Sequence, residues 1–350
     1  METKKYYELY LSLRESILAG DYSPGSRLPS KRSMADRSGC SVITVAAAYS
    51  LLEQEGYISA RQRSGYFVSR IEAPQGGSEA EPELIRHLKI EKTEQTEELE
   101  YSLWFKTVRK VMGERREELF SKSPNKGCAV LRNAIADYLR RYRGMLAQPE
   151  RIIIGSGAEQ LYEYVIKLLG RHLVYGIEDP CYEQISAVYK GEGAVICPLT
   201  MGQDGIESKA LAQSRFDVLH VTPFNSYPSG ITAGIAKRYE YLNWARENKG
   251  YVVEDDFASE FFLPGHPIRS LYSLDTADRV IYINTFSKSL SPSMRMGYMI
   301  LPEELMEPYE EKLGAYSCTV PVFEQYVLAE FISSGYFERH LNRVRRKMKV

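Results

Sequence analysis

The sequence predicts a multidomain chain: a small α+β unit of three helices and a hairpin, an acidic connector, and a large α/β domain on a mostly parallel seven-stranded sheet. Three observations carry this. Within residues 1–70, three runs with helical spacing are separated by Gly20 and Gly39 and followed, after Gly56, by two short β-rich runs. Residues 71–100 hold nine glutamates against three basic residues, with Pro74, Gly76, Gly77 and Pro82, too little apolar surface to fold alone. From Arg151 onward, β-runs at 152–154, 172–175, 195–199, 218–221, 251–254, 280–283 and 298–301 alternate with helical stretches. Such alternation argues for helical crossovers and a parallel sheet whose ligands gather at strand ends.

With 350 residues, 44% hydrophobic and 26% charged, the composition is that of a soluble globular protein long enough for more than one core. No apolar run approaches the roughly 18 residues of a membrane span, and METKKYYELY does not read as a signal peptide. A cytoplasmic location is therefore expected. Cys40, Cys128, Cys181, Cys197 and Cys318 are scattered without a CxxC pair, and the five histidines show no ligand spacing with them, so free thiols are expected and no metal. The net charge of −1 hides a local excess, because residues 27–70 carry seven Lys/Arg against three Asp/Glu.

That excess lies on a pattern. Tyr7, Leu11, Ile17 and Leu18 mark a first helix that stops at Gly20. Ser30 is the expected N-cap of a second helix bearing Lys31 and Arg32; Gly39 makes the turn; Ser41 caps a third helix through Thr44, Val45, Ala48, Leu51 and Leu52, ended by Gly56. Two short helices across a glycine turn form a helix-turn-helix, whose second member enters the DNA major groove by its N-terminal residues. The runs 57–60 and 65–68 then form a hairpin, a wing whose Arg61 and Arg63 can reach phosphates. The segments SRLPSKRSMA, SVITVAAAYSLLEQEGYI and SGYFV resemble the winged helix-turn-helix of GntR-type bacterial regulators. The resemblance implies double-stranded DNA as partner and Ser30, Lys31, Arg32, Ser41, Val42, Thr44, Arg61, Arg63 and Gly65 as the residues that meet it. Val42 is a departure, since the family commonly places a DNA-contacting arginine there. The target sequence therefore does not carry over. The plain alternative is a small helical domain that binds protein.

After the connector, helices are expected through Trp104, Val108 and Val111 and through Leu131, Ile135 and Tyr138. The stretch IYINTFSKSLSPSMRMGYM breaks from a β-run into a Ser/Thr-rich loop that presents Lys288, with Arg295 seven residues later. A lysine that bonds to a carbonyl partner needs a partly dry site and a lowered pKa, while Thr285, Ser287 and Arg295 suit a phosphate. Upstream, the run 251–254 ends in Asp255 and Asp256, carboxylates at a strand end of the kind that keep a pyridinium nitrogen protonated. IIIGSGAEQ sets a strand before Ser156, Gly157 and Ala158 and a helix behind them, a phosphate cup.

These motifs, with Tyr182 after EDPC, TPFNSYPSG and EDDFASEF, stand in the order found in the fold-type I aminotransferases, which bind pyridoxal 5′-phosphate (PLP). A GntR-like reader joined to such a domain resembles the MocR subfamily of regulators across the whole chain. The organisation implied is a winged helix-turn-helix at 1–70, a flexible acidic linker at 71–100 and an α/β PLP-dependent transferase-like (fold-type I) domain at 101–350. The resemblance further implies a homodimeric transcription factor that holds PLP as a Schiff base on Lys288 and senses PLP or an amine or amino-acid effector. By motif, Asp255 would pair the ring nitrogen, Tyr182 would stack on the ring, and Ser156, Gly157, Ala158, Thr285, Ser287 and Arg295 would hold the phosphate. Phe257 and Tyr227 stand where the family offers a donor to the phenolic oxygen; Phe257 cannot donate, which leaves Tyr227 or Asn225. Lys122 replaces a phosphate-holding tyrosine, and Gln184 replaces an effector-binding arginine, which disfavours GABA. The chain ends within HLNRVRRKMKV, where family members continue through a small C-terminal domain that carries the arginine for a substrate carboxylate. An active aminotransferase with an accessory DNA-binding domain is the alternative function, and Phe257 and that missing arginine argue against it. A fragment that binds DNA without cofactor is opposed by the intact set Lys288, Asp255 and Arg295.

Overall fold

The computed structural model describes residues 5–54, 56–61, 64–69, 101–261 and 269–347; the wing residue Arg63 and the linker 71–100 lie outside them. The chain divides into two compact units, Met1–Glu83 with Ala233–Asn243, and Leu84–Thr232 with Trp244–Val350.

In the first unit, α1 (Lys5–Leu18) buries Tyr10, Leu13 and Ile17, three and four residues apart on one helical face. α2 (Lys31–Ser38) starts where Ser30 Oγ accepts the Ser33 amide at 3.2 Å, and it stops at Gly39, whose φ of 64° is the left-handed conformation that glycine adopts without steric cost. α3 (Val42–Gln54) is capped by Ser41 Oγ, which accepts the Thr44 amide at 3.1 Å, and it buries Val45, Ala48, Tyr49 and Leu52. β1 (Ile58–Arg61) pairs antiparallel with β2 (Gly65–Val68), from Ile58 opposite Val68 to Arg61 opposite Gly65. The SRLPS segment joins this ribbon, since Arg27 bridges Phe67 and the Leu28 amide donates to Tyr66 O at 2.8 Å. Tyr49 fastens α3 to the same segment by donating its hydroxyl to Pro29 O at 2.8 Å.

The second unit runs α4 (Tyr101–Glu114), α5 (Ala129–Tyr138), β3 (Ile152–Gly155), α6 (Ala158–Leu169), β4 (Val174–Asp179), α7 (Glu183–Gly191), β5 (Val195–Thr200), α8 (Ser208–Gln213) and β6 (Val218–Val221). The chain continues through α9 (Ile235–Asn248), whose residues up to Asn243 belong to the first unit, and then within the second through β7 (Tyr251–Asp255), α10 (Leu271–Leu274), β8 (Val280–Thr285), β9 (Gly297–Ile300), α11 (Met306–Leu313), α12 (Val322–Ser333) and α13 (Tyr336–Lys347). All seven predicted strands lie in one sheet of order β3-β9-β8-β7-β6-β4-β5. Every pair from β8 to β5 is parallel, and β9 is antiparallel to both neighbours. The connection 286–296 is too short for a helical crossover, so β9 must return antiparallel. That constraint keeps the Lys288 loop at the carboxyl end of β8.

Side chains alternate across the sheet. Ile152, Ile154, Tyr282, Tyr298 and Ile300 enter one core with α5 and α12, while Ile153, Ile281, Ile283 and Met299 enter the other with α6 and α11. All six residues of β8 are buried, as expected of a central strand covered on both faces, and each large apolar side chain withdrawn from water contributes roughly 1.5–3 kcal/mol.

The sequence-based boundaries miss at β4, expected at 172–175 and found at Val174–Asp179. Gly176 and the acids Glu178 and Asp179 disguise the strand. A Cβ on Gly176 would lie 2.8 Å from Phe216 and 2.9 Å from Leu199, so tight packing, not a chain break, requires the glycine there. At the other end, the His172 ring lies against Gly170 and pairing begins only at Val174.

Candidate functional site

The carboxyl ends of β7 and β8 bring the predicted groups together. Asp255 closes β7 opposite Ile283 of β8 and is buried. Its Oδ2 accepts the Tyr162 hydroxyl from α6 and lies 3.9 Å from His220 Nε2 on β6. His220 is turned by Tyr189, whose hydroxyl lies 2.7 Å from Nδ1. Among the described residues Asp255 Oδ1 has no hydrogen-bond partner. A buried carboxylate held on one oxygen and open on the other is a ready acceptor for an N–H or a cation. Tyr162 and His220 escaped the sequence reading; the only signals were a tyrosine on the inward face of the helix after the cup and a histidine inside the apolar run VLHV.

Lys288 lies on the loop after β8, with Nζ 4.6 Å from the Phe257 ring centroid and 6.0 Å from that of Phe261. The residue as a whole is exposed, yet the protein around its ammonium withdraws water and lowers its pKa; the charge of Glu260 opposes that shift. Phe257 packs with Phe224 and Ala258 and contributes a ring face, no donor.

At the turn from β3 to α6, Gly157 has φ 103°, and a Cβ there would lie 3.3 Å from Arg295 Nη2. The cup and Arg295 therefore touch. Arg295 also pairs with Glu159 at 2.7 Å, so a phosphate in this cradle would share that cation with Glu159. The Ser156 amide donates to Gln160 Oε1 at 2.8 Å, and Ser287 Oγ donates to Met294 O at 3.0 Å. Thr285 is buried against Gly297, and Ala158 begins α6. Tyr182 sits edge-on to Tyr227, ring centroids 6.1 Å apart. Burial raises its phenol first, and among its charged neighbours Glu159 and Asp255 raise it further while Arg295 lowers it. Tyr182 thus lies within electrostatic reach of Glu159, Arg295 and Asp255. Asn225 has φ 52°, and its backbone N–H donates to Thr232 Oγ1 at 3.0 Å; Tyr227 and Lys122 are exposed.

Two buried acidic groups support this edge. Glu178 accepts Ser226 Oγ at 2.5 Å and the Thr222 amide at 3.2 Å; desolvation pushes its carboxyl up to about 8, with Asp255 adding to the rise. Below Lys288, Arg143 enters from a π-helical turn at Leu139–Arg143 and meets Asp256 at 2.6 Å, Glu260 at 3.5 Å and Ser259 Oγ. Tyr282 donates to Asp256 at 2.7 Å and Asn284 to Glu260 at 2.8 Å.

Five of the nine DNA-binding candidates gather as well. Ser30, Lys31, Arg32, Val42 and Gly65 line one concavity of about 420 Å³ with Arg27, Leu28, Pro29 and Tyr66. Lys31 Nζ lies 5.0 Å from the Tyr66 ring centroid, and Arg61 lies 4.5 Å over Phe67. Ser41 and Thr44 are joined by their hydroxyls at 2.8 Å. Arg27 escaped the sequence reading, although it stands inside the quoted SRLPS run. Among the described residues no helix is long and apolar enough to cross a membrane, no cluster of His, Cys, Asp and Glu suits a metal, and the five cysteines are free thiols.

Residues 5–68 match the family model described as bacterial regulatory proteins, gntR family, and residues 103–349 match that of aminotransferase class I and II. The HTH-type transcriptional regulator YdeL of Bacillus subtilis is 33% identical over 351 residues, covering 97% of this chain and 76% of its own. The probable rhizopine catabolism regulatory protein MocR of Rhizobium meliloti is 28% identical over 363 residues, covering 97% and 74%. Among solved structures, the α-aminoadipate aminotransferase LysN of Thermus thermophilus, complexed with N-(5′-phosphopyridoxyl)-L-leucine, superposes with TM-score 0.63 at 26% identity. That alignment covers 71% of this chain and 64% of LysN, a little under two thirds of its length.

Proposed function

The chain belongs to the MocR-type GntR regulators, DNA-binding transcription regulators with an aminotransferase-like domain, and we propose that its large domain holds PLP covalently through Lys288 and reports PLP or an amino compound to the DNA reader. The observation that carries this is Asp255 Oδ1, buried and unpartnered at a strand end beside the Lys288 loop. The residues fit the group: Lys288 is an amine whose pKa desolvation lowers, Gly157 and Arg295 form an anion cradle at a helix N-terminus, and Tyr182 offers an aromatic face. When bound, PLP supplies an electrophilic aldehyde carbon and an electron-withdrawing pyridinium ring. Asp255 Oδ1 would accept the ring N–H while Tyr162 and His220 keep the carboxylate oriented. Phe257 would leave the phenolic oxygen to Asn225 or Tyr227, which favours a sensor over a turnover enzyme. We further propose a homodimer in the cytoplasm, because a lone winged helix reads one half-site and two-fold symmetry supplies the second.

The test uses the full chain. Added PLP should give a protein-bound visible absorbance, and borohydride reduction should leave a pyridoxyl mass on Lys288. Lys288→Ala should lose both while still binding duplex DNA. The same trapped mass in the variant, or its recovery on another lysine of the wild type, overturns the assignment. If PLP changes operator affinity, saturating operator must change PLP affinity by the same factor.

A further inference from the structure

The helix that faces the groove has an apolar reading edge. α3 reads VITVAAAYSLLEQ, without lysine or arginine. Its inward face buries Val45, Ala48, Tyr49 and Leu52, whereas its first turn leaves Val42 44% and Ile43 83% exposed. β-branched residues are among the poorer helix formers, and an exposed isoleucine forgoes nearly all of its burial gain, so neither helix formation nor core packing accounts for this pair. Their surroundings indicate what covers them. Val42 lines the same concavity as Arg27, Lys31 and Arg32, so the aliphatic edge adjoins a cluster of cations suited to a DNA phosphate. With phosphate held there, the first turn of α3 meets base edges in the major groove. The one apolar feature of those edges is the thymine C5 methyl group.

We propose that Val42 and Ile43 read thymine methyl groups, so that the operator half-site carries A·T pairs facing the first turn of α3 and is discriminated there by methyl contact, not by arginine–guanine hydrogen bonds. This rests on the DNA-binding reading of the first unit and names the chemistry that its reading helix selects.

The full chain is used to select duplexes from a library with a randomised 30-base-pair centre. In a selected duplex each thymine is then replaced singly by deoxyuridine, which removes the methyl group and leaves base pairing intact. At the positions facing α3, affinity should fall about fourfold per methyl. The double variant Val42→Ala, Ile43→Ala, whose changes are at exposed sites, should bind the methylated duplex more weakly and lose the deoxyuridine penalty, while its salt dependence stays that of the wild type. Salt-dependent binding with the same deoxyuridine penalty in wild type and variant, or selection of guanine at those positions, overturns the proposal and leaves DNA binding standing. A change in sedimentation without a change in the penalty also overturns it, placing the two residues at a contact between copies. Failure to bind any duplex would instead remove the DNA-binding reading and the proposal with it.

Discussion

Replacing Arg143 by methionine removes the guanidinium that lies 2.6 Å from Asp256 and 3.5 Å from Glu260, with the three side chains no more than 4% exposed. Two carboxylates then remain in a dry site without their paired cation, held by neutral donors from Tyr282 and Asn284, while the Lys288 and Arg345 charges act on Glu260 without pairing to it. Removing one partner of a buried pair typically costs about 3–5 kcal/mol, which in a domain of this size lowers Tm by roughly 6–20 °C. The loss should depend on pH with a definite sign. Burial already raises the Glu260 carboxyl, and Arg143 is the principal opposing charge. Without it the folded-state pKa rises further above the unfolded value, so the native variant keeps a proton that the unfolded chain has released. Stability of the variant therefore climbs as pH falls through that window, and the deficit is largest on the alkaline side. Both tryptophans, Trp104 packed on Phe331 and Trp244 stacked on Phe216, lie in the second unit, so fluorescence in a denaturant series follows this unit. Adding Asp256→Asn to the variant should recover part of the loss. A deficit under about 1 kcal/mol, or one equal at pH 6 and pH 9, would refute the ion-pair account.

Two further expectations follow from the same reasoning. Glu178 holds its proton up to about 8 in the native state, while the unfolded chain releases it near 4.5, so its contribution to stability falls as pH rises through that interval; Glu178→Gln should therefore gain on the wild type between pH 5 and pH 9 in denaturant melts, and a constant difference would show that the carboxylate is ionised throughout. Arg61→Ala, which removes an exposed wing cation stacked on Phe67, should make the slope of log affinity against log salt shallower by about one, and an unchanged slope would mean that Arg61 meets no phosphate.

Much of this molecule is legible in the sequence because its signals are local. Ser30 and Ser41 announce helix starts through hydroxyls that satisfy orphan amides three residues away, and Gly39 announces a stop through its own backbone freedom. The strand runs at 218–221 and 280–283 are read correctly because a central parallel strand is apolar on both faces. The order of cup, Asp255 and Lys288 could be read along the chain since each follows a strand, and parallel strands bring their carboxyl ends to one edge. Tertiary structure alone decided which groups complete that edge. Tyr162, His220 and Glu178 come from three different elements, and none has a partner within its own stretch of sequence. Gly176 reads as a strand breaker until Phe216 is packed over it. Arg143 and Glu260 look like ordinary surface charges along the chain, and Asp256 looks like a second strand-end carboxylate beside Asp255. Their pairing needs contacts across more than a hundred residues, and only the folded core removes the water that would otherwise keep them apart.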